Sequence, residues 1–229
     1  MLAGERPQGW GSRRSTGLFS CRAAEVEWWA METDIRFVSE EKFCNGATMS
    51  VPGPDDWTIT ETHNAYEGFF DLVVDELRAP NGGSMTYPWV RSRSGAAVLA
   101  ITDDEHAVTV RQYRHPLGTM SLELPAGLME SGESPEVAAA RELQEEAGYT
   151  AFELTKMGGY NASPGLTDQA IHVYLGRGLI RVDSNPDPFE FLEIELIPVA
   201  ELREMVISGE PVDAPLGFAV MAYYALNAL

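Results

Sequence analysis

Glu142, Glu145 and Glu146 are the residues with the clearest chemical potential in this sequence, and Arg141 stands directly before them in the run RELQEE. On a helix these glutamates fall at i, i+3 and i+4, so three carboxylates crowd one face. Like charges at that spacing cost roughly 0.2–0.5 kcal/mol per pair. A divalent cation reverses the sign, and ligands made only of oxygen suit Mg2+, or Mn2+, rather than zinc. Arg141 precedes Glu145 by one helical turn, so that pair can fix the helix face while Glu142 and Glu146 hold the metal. The bland alternative is a solvated acidic face, the usual fate of a charge run.

A helix must carry this run. Ser134 is a good N-cap, Pro135 suits the first helical position, Glu136 favours the positive end of the helix dipole, and Gly148 supplies the stop. The expected helix makes about three and a half turns. Val137, Ala140 and Leu143, with the small Ala138, Ala139 and Ala147, are expected to pack it on an apolar surface. Gly127 suggests a tight turn or a close backbone approach to metal, and the carbonyl of Ala126 before it could add a backbone ligand.

From Gly127 to Tyr149 the chain reads G-x5-E-x7-R-E-U-x-E-E-x-G-U, with U aliphatic or aromatic. With most residue types at roughly 5–7%, a chance match is on the order of one in a billion per window. The stretch resembles the signature box of the Nudix hydrolases, without departure at any specified position. That resemblance implies an α+β fold: an α/β/α sandwich with a mixed sheet, in which the box glutamates bind Mg2+ beside a diphosphate. It makes Glu142 and Glu146 ligands, has Glu145 assist or be held by Arg141, and has Glu133 contribute through the loop entering the helix. With Ala126 these form the expected metal set, and the chemistry is metal-assisted hydrolysis.

Residues outside the box resemble one subgroup, the ADP-ribose pyrophosphatases: Arg111-Gln112-Tyr113-Arg114, Glu123-Leu124-Pro125-Ala126-Gly127 and Ser163-Pro164-Gly165. The resemblance runs from about Trp57 to the C-terminus and implies cleavage of ADP-ribose to AMP and ribose 5-phosphate. GDP-mannose or UDP-glucose are the alternative substrates. A non-catalytic module that senses ADP-ribose is the alternative class, although every box glutamate is present.

Arg114, after a predicted strand, is the expected cationic contact to the substrate phosphates, because a guanidinium offers a bidentate fork. Arg93 is a second candidate. Phe70 and Trp89 occupy the N-terminal strands where the subgroup places residues that stack on adenine, and Pro164 completes the substrate set. The bland readings are a surface salt bridge for Arg114, core or dimer contacts for Phe70 and Trp89, and a plain loop proline for Pro164. Similar enzymes exchange their N-terminal sheets, so a homodimer is expected. In the acidic loop Asp183 to Glu193, Glu190 best matches the subgroup's general base, with Asp187 and Glu193 as rivals. The expected catalytic set is thus Glu190, Glu145 and Arg141. His115 and His172 read as local structure.

The 229 residues carry a net charge of -19 and are 45% hydrophobic. This excludes a nucleic-acid or anionic-membrane surface, which needs clustered Lys and Arg. Cys21 and Cys44 have no metal-ligand or disulfide spacing, which points to a reducing, cytoplasmic setting. Residues 1–30 read as a disordered tail, with a targeting segment as the alternative, 31–94 as a β-rich N-terminal region suited to dimerisation, and 95–229 as the hydrolase domain. Asn81-Gly82 signals a hairpin between N-terminal strands. Further strands are expected at Ala96 to Ile101, which reads as central, and at His106 to Tyr113, Met120 to Pro125, Phe152 to Tyr160, Ala170 to Leu175 and Phe191 to Ile197. Two late helices are expected near Val199 to Ser208 and Leu216 to Ala228.

Overall fold

The computed structural model describes residues 52–227. The expected tail and both cysteines lie outside them. The spine is β4 (Gly95–Ile101), whose sequence GAAVLAI has no polar side chain and is buried at every position. A strand buried on both faces needs two covering layers. Ala96, Val98 and Ala100 pack with Ala138, Ala139 and Leu143 of α1 (Pro135–Ala147). Leu99 and Ile101 pack instead with Leu202 of α2 (Val199–Ser208) and Leu216, Ala219 and Val220 of α3 (Ala214–Asn227). The result is the expected α/β/α sandwich. On α1 the expectation was wrong in part: Val137 and Ala140 face outward, and the packed stripe is Ala138, Ala139, Leu143 and Ala147.

The main sheet runs β10 (Glu193–Pro198), β5 (His106–Arg114), β4, β9 (Ala170–Arg181), β8 (Tyr149–Asn161). It is mixed, because β4 and β9 are parallel while their neighbours pair antiparallel. One edge of β4 is shared: β5 takes Ala100 and Ile101, and β7 (Ala126–Leu128) takes Gly95 to Ala97. Beyond that point β5 pairs with β6 (Thr119–Glu123) instead. The sheet therefore forks, and Glu123 to Gly127 crosses the fork, with the Pro125 carbonyl accepting from the Val98 N–H at 3.0 Å.

A separate antiparallel sheet holds β1 (Thr58–Tyr66), β2 (Asp71–Arg78) and β3 (Ser84–Arg91). The β2–β3 turn contains Asn81-Gly82 as expected, with Gly82 at φ 81. β1 is exposed along its whole length. β3 is tied to the loop before β9: the Val90 N–H donates to the Leu166 carbonyl at 2.7 Å, and the Tyr87 hydroxyl to the Gly165 carbonyl at 2.9 Å.

Candidate active site

The caps of α1 are those the sequence specifies. Ser134 Oγ accepts from the Val137 N–H at 3.3 Å, and Gly148 closes the helix at φ 68. With the ends fixed, rotation about the axis decides which glutamates turn inward. Glu142 and Glu146 are buried on the same face as Leu143, whereas the Glu145 side chain is 38% exposed.

Arg141 ties the helix to what lies beneath it. Its guanidinium donates to both oxygens of Glu133 at 3.0 Å, to Glu142 at 2.7 Å, to Glu145 at 3.0 Å and to the Leu128 carbonyl of β7 at 3.1 Å. Hydrogen bonding to Glu133 leads in raising the Arg141 pKa above its ordinary value, and the same bonds hold Glu133 below the usual carboxylate range. Glu133 also accepts from the Glu130 N–H at 2.8 Å. Both its oxygens are thus engaged, which suits a role in orienting Arg141.

Glu146 accepts from the Ala126 N–H at 2.8 Å, which fixes α1 to β7 beside the fork. Burial pushes its carboxyl up to about 8, and the charges of Glu142 and Glu190 add to the effect. Burial raises Glu142 too. Opposite lies Gly127, where a β-carbon would clash with the Glu142 carboxylate, so any side chain there displaces that carboxylate. Two desolvated carboxylates beside the Ala126 backbone fit a hard divalent cation by donor chemistry. Among the described residues no three acidic, imidazole or thiol groups converge to hold an ion. The set is open, with Arg141 on one Glu142 oxygen and the Ala126 N–H on one Glu146 oxygen.

These groups line a cleft of about 600 Å³. Of the sequence-predicted residues, the cleft brings together Ala126, Arg141, Glu142, Glu145, Glu146, Arg93, Arg114 and Glu190. Glu190 and its rival Asp187 both reach it, joined by the Asp187 N–H donating to Glu190 Oε2 at 3.0 Å. Glu193 does not: it sits on β10 opposite Arg111. Arg93 donates to the Met129 carbonyl at 3.2 Å. Arg114 is held by Glu123 through two bonds of 2.8 and 2.6 Å, and Gln112 donates to the same carboxylate at 3.0 Å. Burial opposes ionisation of Glu123, yet the bonds and charge of Arg114 win and leave it below the usual carboxylate range.

Three expected substrate contacts are absent from the cleft within this chain. Trp89 donates its indole N–H to the buried Asp75 at 2.7 Å. Phe70 packs on Tyr66 at 5.7 Å between ring centroids. Pro164 is exposed in the loop that docks on β3. The aromatic residue from the N-terminal sheet region that does line the cleft is Phe69, one position before the expected Phe70. The sequence reading also gave no site role to Gln112, Glu123, Tyr160 or Asp213, all of which line it. For Gln112 the alternation of β5 was the available signal, since it shares a face with Arg114.

Residues 91–216 match the family description NUDIX domain. The chain belongs to the Nudix family. Two relatives are named ADP-ribose pyrophosphatase. The one from Bacillus subtilis is 37% identical over 161 residues, covering 69% of this chain and 87% of the relative. The one from Mycobacterium tuberculosis is 35% identical over 161 residues, covering 69% and 78%. A crystal structure of an ADP compounds hydrolase superposes with a TM-score of 0.67 at 23% identity, over 75% of this chain and 94% of that one. That likeness concerns the fold. As a Nudix hydrolase the chain is an enzyme, and among the described residues no helix is long and apolar enough to cross a membrane.

Proposed function

We propose that this Nudix hydrolase cleaves the diphosphate of a nucleoside diphosphate sugar in an Mg2+-dependent reaction, with ADP-ribose as substrate and AMP and ribose 5-phosphate as products. The observation that carries the reading is the pairing of buried Glu142 and Glu146 with Arg114 across one cleft, which gives a diphosphate both a cation site and a guanidinium. The names of the two relatives support the choice of sugar.

Glu142, Glu146 and the Ala126 carbonyl would hold the cation, with Glu145 beside them. When bound, it neutralises the diphosphate and lowers the pKa of the attacking water. Arg114, braced by Glu123, meets the phosphate oxygens, and Arg93 is a second cationic contact. Glu190 accepts the water proton as the new P–O bond forms and the bridging P–O bond breaks. Arg141 touches no substrate in this scheme. It is a positioning residue that fixes Glu142 and Glu145.

A homodimer fits the same reading. β1 buries nothing along nine residues, and Ile59, Tyr66 and Phe69 are 61%, 53% and 76% exposed. A second copy of this sheet would cover Ile59 and Tyr66 and could bring Phe70 or Trp89 to the partner's cleft. Gel filtration with light scattering reports the mass directly.

Turnover of ADP-ribose should be compared with GDP-mannose, UDP-glucose, diadenosine polyphosphates and nucleoside triphosphates, in Mg2+ and in EDTA. A lead of about tenfold in kcat/KM, roughly 1.4 kcal/mol of transition-state discrimination, supports ADP-ribose. A different leading sugar overturns that choice, and no turnover at all would favour a sensing module.

A further inference from the structure

The cleft has a wall that the scheme above leaves unused. Asp213 lies just before α3, where its carboxylate accepts from the Leu216 N–H at 3.4 Å and its carbonyl from the Gly217 N–H at 2.9 Å. It has no side-chain partner among the described residues, although it lines the cleft beside Tyr160 and Glu123. The Tyr160 hydroxyl makes no hydrogen bond among those residues either. Its ring is already packed on Phe218 of α3, with centroids 5.3 Å apart. These groups sense one another. Burial and then the Glu123 charge push Asp213 up to about 6, while burial and then Asp213 raise the Tyr160 phenol.

A wall of this kind suits hydroxyls. A carboxylate accepts two hydrogen bonds from a vicinal diol, and a phenol can donate or accept. It does not suit a base, because the Tyr160 ring is occupied by Phe218. The aromatic surface left open in the cleft is Phe69, 76% exposed. Arg114, bonded to Glu123, feels the Asp213 charge, so a phosphate held there would direct its sugar toward this wall.

We infer that Asp213, supported by Tyr160, is a specificity-determining residue that binds the hydroxyls of the sugar half of the substrate. This rests on the nucleoside diphosphate sugar reading above. It adds a recognition site for the part of the substrate beyond the diphosphate.

The test is calorimetric binding of the two product halves, ribose 5-phosphate and AMP, to the full chain in Mg2+. Asp213→Asn retains a capping side chain for α3, and Tyr160→Phe retains the ring on Phe218. Asp213→Asn should weaken ribose 5-phosphate by about tenfold and Tyr160→Phe by about threefold, with AMP within about twofold of wild type. If GDP-mannose or UDP-glucose leads in turnover, its sugar phosphate replaces ribose 5-phosphate. Equal weakening of both halves, or an unchanged sugar phosphate affinity, overturns the assignment. Should Asp213→Asn fail to fold, Tyr160→Phe decides by the same criterion. A wild type that hydrolyses nucleotide sugars while both variants bind normally sinks this inference alone. A wild type that hydrolyses none sinks the functional reading and this inference with it.

Discussion

Gly127 and Glu142 face each other so closely that a β-carbon on the glycine would clash with the glutamate carboxylate. The smallest side chain must therefore move a carboxylate that is proposed to hold the cation. Gly127→Ala should lower kcat/KM by about a hundredfold, roughly 2.7 kcal/mol of lost transition-state stabilisation, without changing the far-ultraviolet circular dichroism. Steady-state kinetics with the spectrum as control checks this, and normal turnover would show that Glu142 is free to shift.

Glu146 gives a pH signature to the metal-free protein. Its carboxyl is pushed up to about 8 in the fold, well above the roughly 4.3 of an ordinary glutamate. The folded state then binds the proton more tightly than the unfolded state between those values. Stability in EDTA should fall as pH rises through this window, by up to about 1.4 kcal/mol per pH unit for one group. Glu142, also raised by burial, acts in the same direction. Urea denaturation at several pH values should show that Glu146→Gln flattens the slope, and that Mg2+ restores wild-type stability but not that of the variant.

Arg141 makes a stringent demand on its side chain. It reaches Glu133, Glu142, Glu145 and the Leu128 carbonyl with three guanidinium nitrogens, and an ammonium cannot reproduce that fork. Arg141→Lys is expected to lose about a hundredfold in kcat/KM, with Mg2+ affinity reduced as well. Glu133→Gln, which keeps one acceptor for Arg141, should lose less. Equal losses in the two variants would argue for a direct role of Glu133.

For Glu190 the expected outcome is a split between parameters. Removing a group that takes a proton in the transition state lowers kcat while leaving KM within about threefold. Glu190→Gln should therefore lose about a hundredfold or more in kcat. An unchanged kcat passes the role to Asp187, the other carboxylate of that loop in the cleft.

Local spacing made α1 legible. Ser134, Pro135 and Gly148 write the helix boundaries, and the glutamate spacing fixes which residues share a face once the helix is set. β4 was equally clear, because an apolar run without polar interruption has to be central. What failed was orientation across strands and loops. Phe69, and not Phe70, faces the cleft, and one residue along the chain is enough to turn a side chain away. Trp89 is held by Asp75, an atom-level contact that no spacing announces. Asp213 was missed because nothing in its local sequence marks it, and its place near Glu123 and Arg114 arises only when α3 docks on the sheet. The bonds from Arg141 to Glu133 were not foreseen, because the helix spacing pairs Arg141 only with Glu145.

The fork in the sheet makes β4 answerable to two masters. Gly95 to Ala97 hold the strand that carries Ala126 and Gly127, while Val98 to Ile101 knit the helices of both layers together. A β-carbon on Gly95 would press on the Gly127 carbonyl at 2.9 Å, so even the smallest enlargement there is transmitted to the chemistry. Heat tolerance and turnover are therefore expected to be coupled along this strand. Variants selected for one along this strand will carry a change in the other, and separating the two requires changes in the outer elements.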